Sequence, residues 1–248
     1  GNVSADDISG KLKASDIDGG ITSSTNLGSL DATTVGGDIS VADVQNELKV
    51  DDVKNVSASG TVGSVNAKNA GNLSFADVTN QLEASNTGDI AATGKIGSLD
   101  AKSAGDISIE EVGGVASVID AKSLSITTAG SEVTAKNIAG NVEIATGSDL
   151  IVRDAKGVVA DNLSGKLDAA NIGVNGITSA GSIGSVLAST VNGDISVNTV
   201  VGELKVNGAK DVSASGTLGS ADIKDAGNID FQGDVAGEIK ARDVLNIT

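Results

Sequence analysis

The chain contains no cysteine, proline, histidine, methionine, tryptophan or tyrosine, and its 248 residues include only two phenylalanines, Phe75 and Phe231. Without cysteine there are no disulfides and no thiolate metal sites. Without histidine there is no side chain whose ordinary pKa suits acid–base work near neutral pH, and with no cysteine or tyrosine either, enzymatic activity is not expected. The scarcity of aromatic rings argues against a bulky globular core and against the aromatic platforms of sugar-binding grooves. It also removes the aromatic girdles of a membrane β-barrel. Long apolar runs are missing too, since nothing approaches the roughly 18 residues of a membrane-spanning helix, so no transmembrane segment is expected. Basic residues are few: 17 Lys and Arg stand against 33 Asp and Glu, a formal net charge of −16. Clustered cations are what phosphate-backbone binding needs, so nucleic acid is not expected as a partner.

What the sequence does contain is small, branched and repetitive. Hydrophobic residues make up 39% of the chain, nearly all Val, Ile, Leu and Ala, and they are punctuated by 33 glycines. The segment Gly97 to Ile109, GSLDAKSAGDISI, returns as GSVNAKNAGNLSF from Gly63, GSLDATTVGGDISV from Gly28, GSVLASTVNGDISV from Gly184 and GSADIKDAGNIDF from Gly219. Unit starts fall at Gly10, Gly28, Asn46, Gly63, Asn80 and Gly97, then at Ser117 and Ser131, and on through Ser148, Gly165, Gly184, Gly202, Gly219 and Gly237. Steps of 17 or 18 dominate, with a step of 20 followed by one of 14 around Val112 to Ser125. A period of this length is what stacked solenoid coils produce.

A longer repeat lies over the short one. Gly37 to Phe75 and Gly193 to Phe231 are identical at 24 of 39 positions with an offset of 156, and residues 1–92 resemble 157–248 overall. Ser9–Ile17 matches Ser164–Ile172 at an offset of 155, and one inserted residue before Gly176 restores 156.

Within each unit apolar residues alternate with polar ones, as in Leu48–Val50 and Val56–Ala58, and β-branched side chains dominate, so the period is two rather than 3.6. In the unit from Asn46 the expected inward set is Leu48, Val50, Val53, Val56, Ala58 and Val62, on three short strand segments joined by bends. Gly–Asp and Gly–Asn pairs such as Gly37–Asp38, Gly71–Asn72 and Gly105–Asp106 mark one corner, where glycine is expected to supply left-handed backbone. The expected fold is all-β: a single β-solenoid domain over 1–248, a parallel β-helix of about fourteen coils with a period near 17–18 residues.

Three features invite a functional reading. Lys68, Lys102, Lys122 and Lys136, with Arg153, Lys224 and Arg242, recur in one slot, but Thr33, Asp51, Ser85, Ala170, Ser189 and Asn207 interrupt it. A solvated row of lysines paired with nearby aspartates is favoured over a cationic stripe for an anionic polymer. Asp6–Asp7, Asp16–Asp18 and Asp51–Asp52 offer oxygen ligands for Ca²⁺. The calcium-binding nonapeptide GGxGxDxΦx is absent and GGD at Gly36–Asp38 stands alone, so a solvating acidic surface is expected and no cofactor. The SASGT copies, Ser57–Thr61 and Ser213–Thr217, are expected to be bends.

Ladder-like units such as GSLDAKSAGDISI and NELKVDDVKNVSA, with no cysteine, few aromatics and strong acidity, resemble the repetitive regions of bacterial surface-layer proteins and large secreted adhesins. The resemblance implies an extracellular or cell-surface structural role in a bacterium and assigns no functional residue. The expected function is therefore a building block of a surface layer, sheath, fibre or adhesin stalk. The alternative is a polysaccharide-binding solenoid of tailspike or lyase type. Since Gly1–Leu12 and Val244–Thr248 already read as coil sequence, the coil ends are expected to join head to tail, to another copy or to neighbouring segments of a longer chain. Val3, Ile8, Val244 and Ile247 are the candidate assembly residues.

Overall fold

The computed structural model describes every residue from Gly1 to Thr248. It is all-β and contains no helix. Fourteen strands follow one another: β1 (Val3–Ser4), β2 (Ile8–Ile17), β3 (Ile21–Val35), β4 (Ile39–Val53), β5 (Val56–Ala70), β6 (Leu73–Thr87), β7 (Ile90–Val112), β8 (Ala116–Ala129), β9 (Val133–Gly147), β10 (Leu150–Val191), β11 (Ile195–Ala209), β12 (Val212–Ala214), β13 (Leu218–Phe231) and β14 (Ile239–Ile247). The chain divides into two compact units, Gly1–Lys122 and Ser123–Thr248. Each is a β-solenoid in which every turn pairs in parallel with the turns before and after it, and together they make about fourteen turns.

In the first unit the columns can be followed residue by residue. Ile39, Val56, Leu73 and Ile90 form one, Val41, Ala58, Phe75 and Ala92 a second, and Leu48, Val65, Leu82 and Leu99 a third. Val50, Ala67, Ala84 and Ala101 form a fourth. All six residues expected to point inward from the unit at Asn46 are buried. Parallel strands lie about 4.8 Å apart, so identical inward positions touch their own counterparts and the core is a bundle of columns. Phe75 shows how volume is balanced within one. It is 2% exposed and sits between Ala58 and Ala92, two of the smallest side chains its column can offer. A close-packed interior accepts a large residue where its neighbours give up the same space.

The three short segments expected per turn are fused. Strands of fifteen residues run through the bends, and the pairing register shifts at two places per turn, for example between Val41 and Val44 and between Val44 and Glu47. Bulges of this kind turn a strand without ending it.

Two corrections concern the corners. The left-handed residue is not the corner glycine. It is a polar residue that follows the lysine slot: thirteen non-glycine residues from Asp16 to Asp243 have φ between 46° and 60° there, and Gly208, at φ 87°, fills the one remaining turn. Asn and Asp occupy ten of the thirteen, because a short polar side chain tolerates this conformation and finds local hydrogen bonds. Asn69 Nδ2 donates to Asp51 Oδ1, and Asn86 Nδ2 donates to Asn69 Oδ1. Corner glycines are required for a different reason, which is close approach. A Cβ on Gly71 would stand 1.7 Å from the Lys54 carbonyl oxygen of the preceding turn.

The second correction is register. Left-handed residues at Ser103, Asp120 and Asn137 are 17 apart, and Gly114 N–H donates to Gly97 C=O, so the unit after Gly97 begins at Gly114 and not at Ser117. The irregular steps of 20 and 14 are two steps of 17. Ala84 stacks directly on Ala101.

Candidate functional site

The residues expected to mediate assembly occupy the outer turns of their units. Val3 pairs with Ile21 and Ile8 with Leu27 in the first unit. Val244 pairs with Ala226 and Ile247 with Ile229 in the second. Each continues a column whose next member is buried: Ile21, Leu27 and Ile229 are fully buried and Ala226 is 8% exposed. Ile247 itself is 52% exposed and Ile239 45%, while Val3, Ile8 and Val244 are half-buried. Leu245, at 78%, lies beside them pointing outward. The four residues therefore form two apolar edges, one shared by β1 and β2 and one on β14.

The lysine slot precedes the left-handed residue, and the structure places Lys68, Lys102, Lys136, Arg153, Lys224 and Arg242 in it. Lys122 does not belong, since Asp120 is the left-handed residue of that turn and Ile119 precedes it. The cations pair with neighbouring carboxylates: Lys102 with Asp100, Arg153 with Asp168, Lys224 with Asp225 and Arg242 with Asp222. Lys122 pairs with Asp106, whose hydrogen bond and charge hold the ammonium group above its usual pKa. Glu238 does the same for Lys240. Asp31 shows the converse. A hydrogen bond from Lys11 at 2.7 Å, with Lys49 and Lys13 also near, holds its carboxyl below the usual range despite partial burial.

The acidic pairs serve the backbone. Asp6 Oδ1 accepts from the N–H and hydroxyl of Ser24, Asp51 accepts from Asn69, and Asp7, Asp16 and Asp52 are left-handed corner residues. No three acidic side chains gather in a group suited to a metal ion. The first SASGT copy is not a separate bend but runs inside β5, where the pairing register shifts between Ala58 and Thr61 and Thr61 N–H donates to Asp43 Oδ1 at 2.7 Å. In the second, Ser215 and Gly216 N–H donate to Val197 and Asn198 carbonyls.

A feature that residue-by-residue reading missed is the ladder at the Gly–Asx corner. Asn55 Nδ2 donates to Asp38 Oδ1, Asn72 N–H to Asn55 Oδ1, Asp89 N–H to Asn72 Oδ1 and Asp106 N–H to Asp89 Oδ1. The oxygens of Asn55, Asn72 and Asp89 satisfy the next turn's backbone N–H where the sheet itself bends away, and that of Asp38 accepts from the next turn's side-chain amide. The ladder's signal is the recurrence of Asn or Asp immediately before the first inward residue of most turns, with Gly20, Ser123, Gly157 and Gly176 as the exceptions.

Two open depressions interrupt the second unit. One, about 490 Å³, lies where Gly208 lacks a side chain, among Thr190, Asn192, Asn207, Lys210 and Asp225. The other, about 460 Å³, is lined by Gly147, Leu163, Gly184 and Val201 with Asn162 and Ser164. Neither contains a nucleophile paired with a base.

By architecture the chain is a repetitive β-solenoid protein. No family model, curated protein or solved structure matches it.

Proposed function

We propose that this chain is a structural building block outside a bacterial cell, part of a surface layer, sheath, fibre or adhesin stalk. The observation that carries the reading is the interchangeability of its turns. The same inward columns, the same left-handed position and the same Asx corner recur turn after turn, while the outward positions are mostly small and polar. A scaffold of this kind spends its sequence on propagating one geometry, and nearest-neighbour stacking lets that geometry extend by whole turns. On this reading the protein catalyses nothing and needs no cofactor, and its partner is another copy or a neighbouring segment of the same ladder. The polysaccharide-binding alternative lacks a ring to stack on a sugar, since Phe75 is buried and Phe231 is half-buried in its column.

Negative-stain electron microscopy and light scattering across a concentration series test the proposal. Fibres, sheets or mass that rises with concentration are expected. A monomer at every concentration, together with saturable binding to an acidic or neutral polysaccharide, overturns it.

A further inference from the structure

Val-Asn-Gly occurs three times in the chain, at 174–176, 191–193 and 206–208, and every copy lies in the second unit. An asparagine before glycine can close into a ring with the following peptide nitrogen, because glycine has no Cβ to hold the side-chain carbonyl away. A folded chain permits this where the side chain is free, the glycine N–H is not held by a carbonyl and the backbone lies outside the sheet.

One copy meets all three conditions. Asn175 Nδ2 is tied to Asn141 Oδ1 at 3.0 Å, and Gly176 lies within β10. Asn207 has no such tie, but it pairs with Ser189 on one side and Lys224 on the other, and Gly208 lies within β11. Asn192 and Gly193 fall between β10, which ends at Val191, and β11, which starts at Ile195. Asn192 is exposed, its side chain makes no hydrogen bond, and it lines the open depression of about 490 Å³. Its own N–H donates to Ile172 C=O at 2.8 Å, and Gly193 C=O accepts from Lys210 N–H at 3.1 Å, so the backbone is anchored on both sides of the peptide bond that joins them. The Gly193 N–H between these anchors is loose. In the first unit its counterpart, Gly37 N–H, donates to Gly19 C=O at 2.9 Å, whereas Gly193 is buried and makes no such bond. A buried backbone donor without an acceptor is rare and unfavourable, and ring closure removes it.

We infer that Asn192 is a site of spontaneous deamidation in the folded protein. The Gly193 nitrogen attacks Asn192 Cγ, the new C–N bond replaces the Cγ–Nδ2 bond, and the displaced nitrogen leaves as ammonia with the proton of the Gly193 N–H. Water from the depression then opens the five-membered imide at one of its two carbonyls. The product is aspartate or isoaspartate at position 192, with one more negative charge on the chain. Isoaspartate adds a methylene to the main chain. The addition falls in the corner between buried Val191 and buried Ile195, outside either column segment, so the turns keep their register.

The test is to incubate the folded chain in mildly alkaline buffer and map its peptides by mass spectrometry, counting isoaspartate by enzymatic carboxyl methylation. Asn192 is expected to convert on the order of tenfold faster than Asn175 and Asn207, which need local opening first. In a urea-unfolded chain the three sites share one local sequence, so their rates are expected to converge. Equal rates in the folded chain, a faster Asn175 or Asn207, or an intact Asn192 after the unfolded chain has converted overturns the inference. Asn192→Gln lengthens the side chain and disfavours the five-membered ring, so it is expected to remove most of the methyl-accepting signal from the folded chain. A signal that persists unchanged also overturns the assignment.

Discussion

Gly37–Phe75 and Gly193–Phe231 are two versions of one segment, and the places where they differ show which positions the fold holds fixed. In the columns, volume moves but polarity does not. Val65 and Ala67 in the first become Ala221 and Ile223 in the second, and all four are at most 2% exposed. The larger side chain has changed columns within the same turn, so the turn's filling is kept. At the corner the exchange is of another kind: Asp51–Asp52 becomes Asn207–Gly208, and both Asp52 and Gly208 are left-handed. The backbone conformation is preserved by two unrelated residues, one that tolerates it and one that has no Cβ to object. Phe75 and Phe231 are the same residue in different company, the first enclosed by alanines on both sides and the second paired with Ala214 on one.

Substitutions can break this comparison at its strongest point first. Ala101 is fully buried in an alanine-rich column, so Ala101→Glu places an unpaired carboxylate where only apolar exchange is tolerated. A loss on the order of 5 kcal/mol is expected, read as a collapse of the thermal transition. An unchanged melt would mean that the column is not closed there. Next, Phe75→Ala should cost about 3–5 kcal/mol by leaving a cavity between two alanines. Phe231→Ala, at a half-buried site, should cost clearly less in the same denaturant titration. Equal losses would deny that the neighbouring turns create the difference.

The corner comparison predicts smaller effects. Asp52→Gly should change stability little, since Gly208 already serves in that position, whereas Asp52→Val should cost about 1–2 kcal/mol from the left-handed strain on a β-branched residue. The smallest effect concerns Asp31. Its folded pKa is depressed by Lys11, so its contribution is present above the ordinary aspartate pKa and disappears as the pH falls through the lower folded value. The pair is partly solvated, which keeps this to less than about 1 kcal/mol. Asp31→Asn should flatten the acid limb of the stability profile by that amount and leave stability at pH 9 lower than that of the parent chain.

Periodicity made much of this fold readable in advance. Alternation at Leu48, Val50, Val56 and Ala58 identified strands and their inward face, because burial on one side of a pleated chain forces a period of two. The corners were less legible. Glycine has two uses, left-handed backbone and close approach, and the sequence does not say which applies at Gly71, where the carbonyl of Lys54 decides. Asn69 and Ser103 carried no mark of their conformation apart from following a lysine. The register near Gly114 was obscured because Ser117 imitates a unit start, and the hydrogen bond to Gly97 was needed to place it. The edges on β1–β2 and on β14 could be named as apolar from Val3, Ile8, Val244 and Ile247. That Val3 and Ile247 occupy the same slot relative to the next turn emerged only from the pairing.

The extra residue before Gly176 shows where such a gene can change length. Between Ile172 and Ile177 the second unit carries one residue more than the first does between Ile17 and Ile21. The surplus is taken up by the excursion Gly173–Gly176, with Gly176 at φ 69°, Val174 turned out to solvent and Asn175 Nδ2 tied back to Asn141 Oδ1. Ile172 and Ile177 on either side remain fully buried. A codon gained inside a column segment would turn every later side chain in that segment inside out, because successive strand residues face opposite ways. A codon gained at this corner is absorbed within a few residues. Mutation can therefore lengthen the chain in two increments, a single residue at a corner or a whole turn between corners, and the Gly173–Gly176 excursion marks a natural insertion point for a displayed peptide.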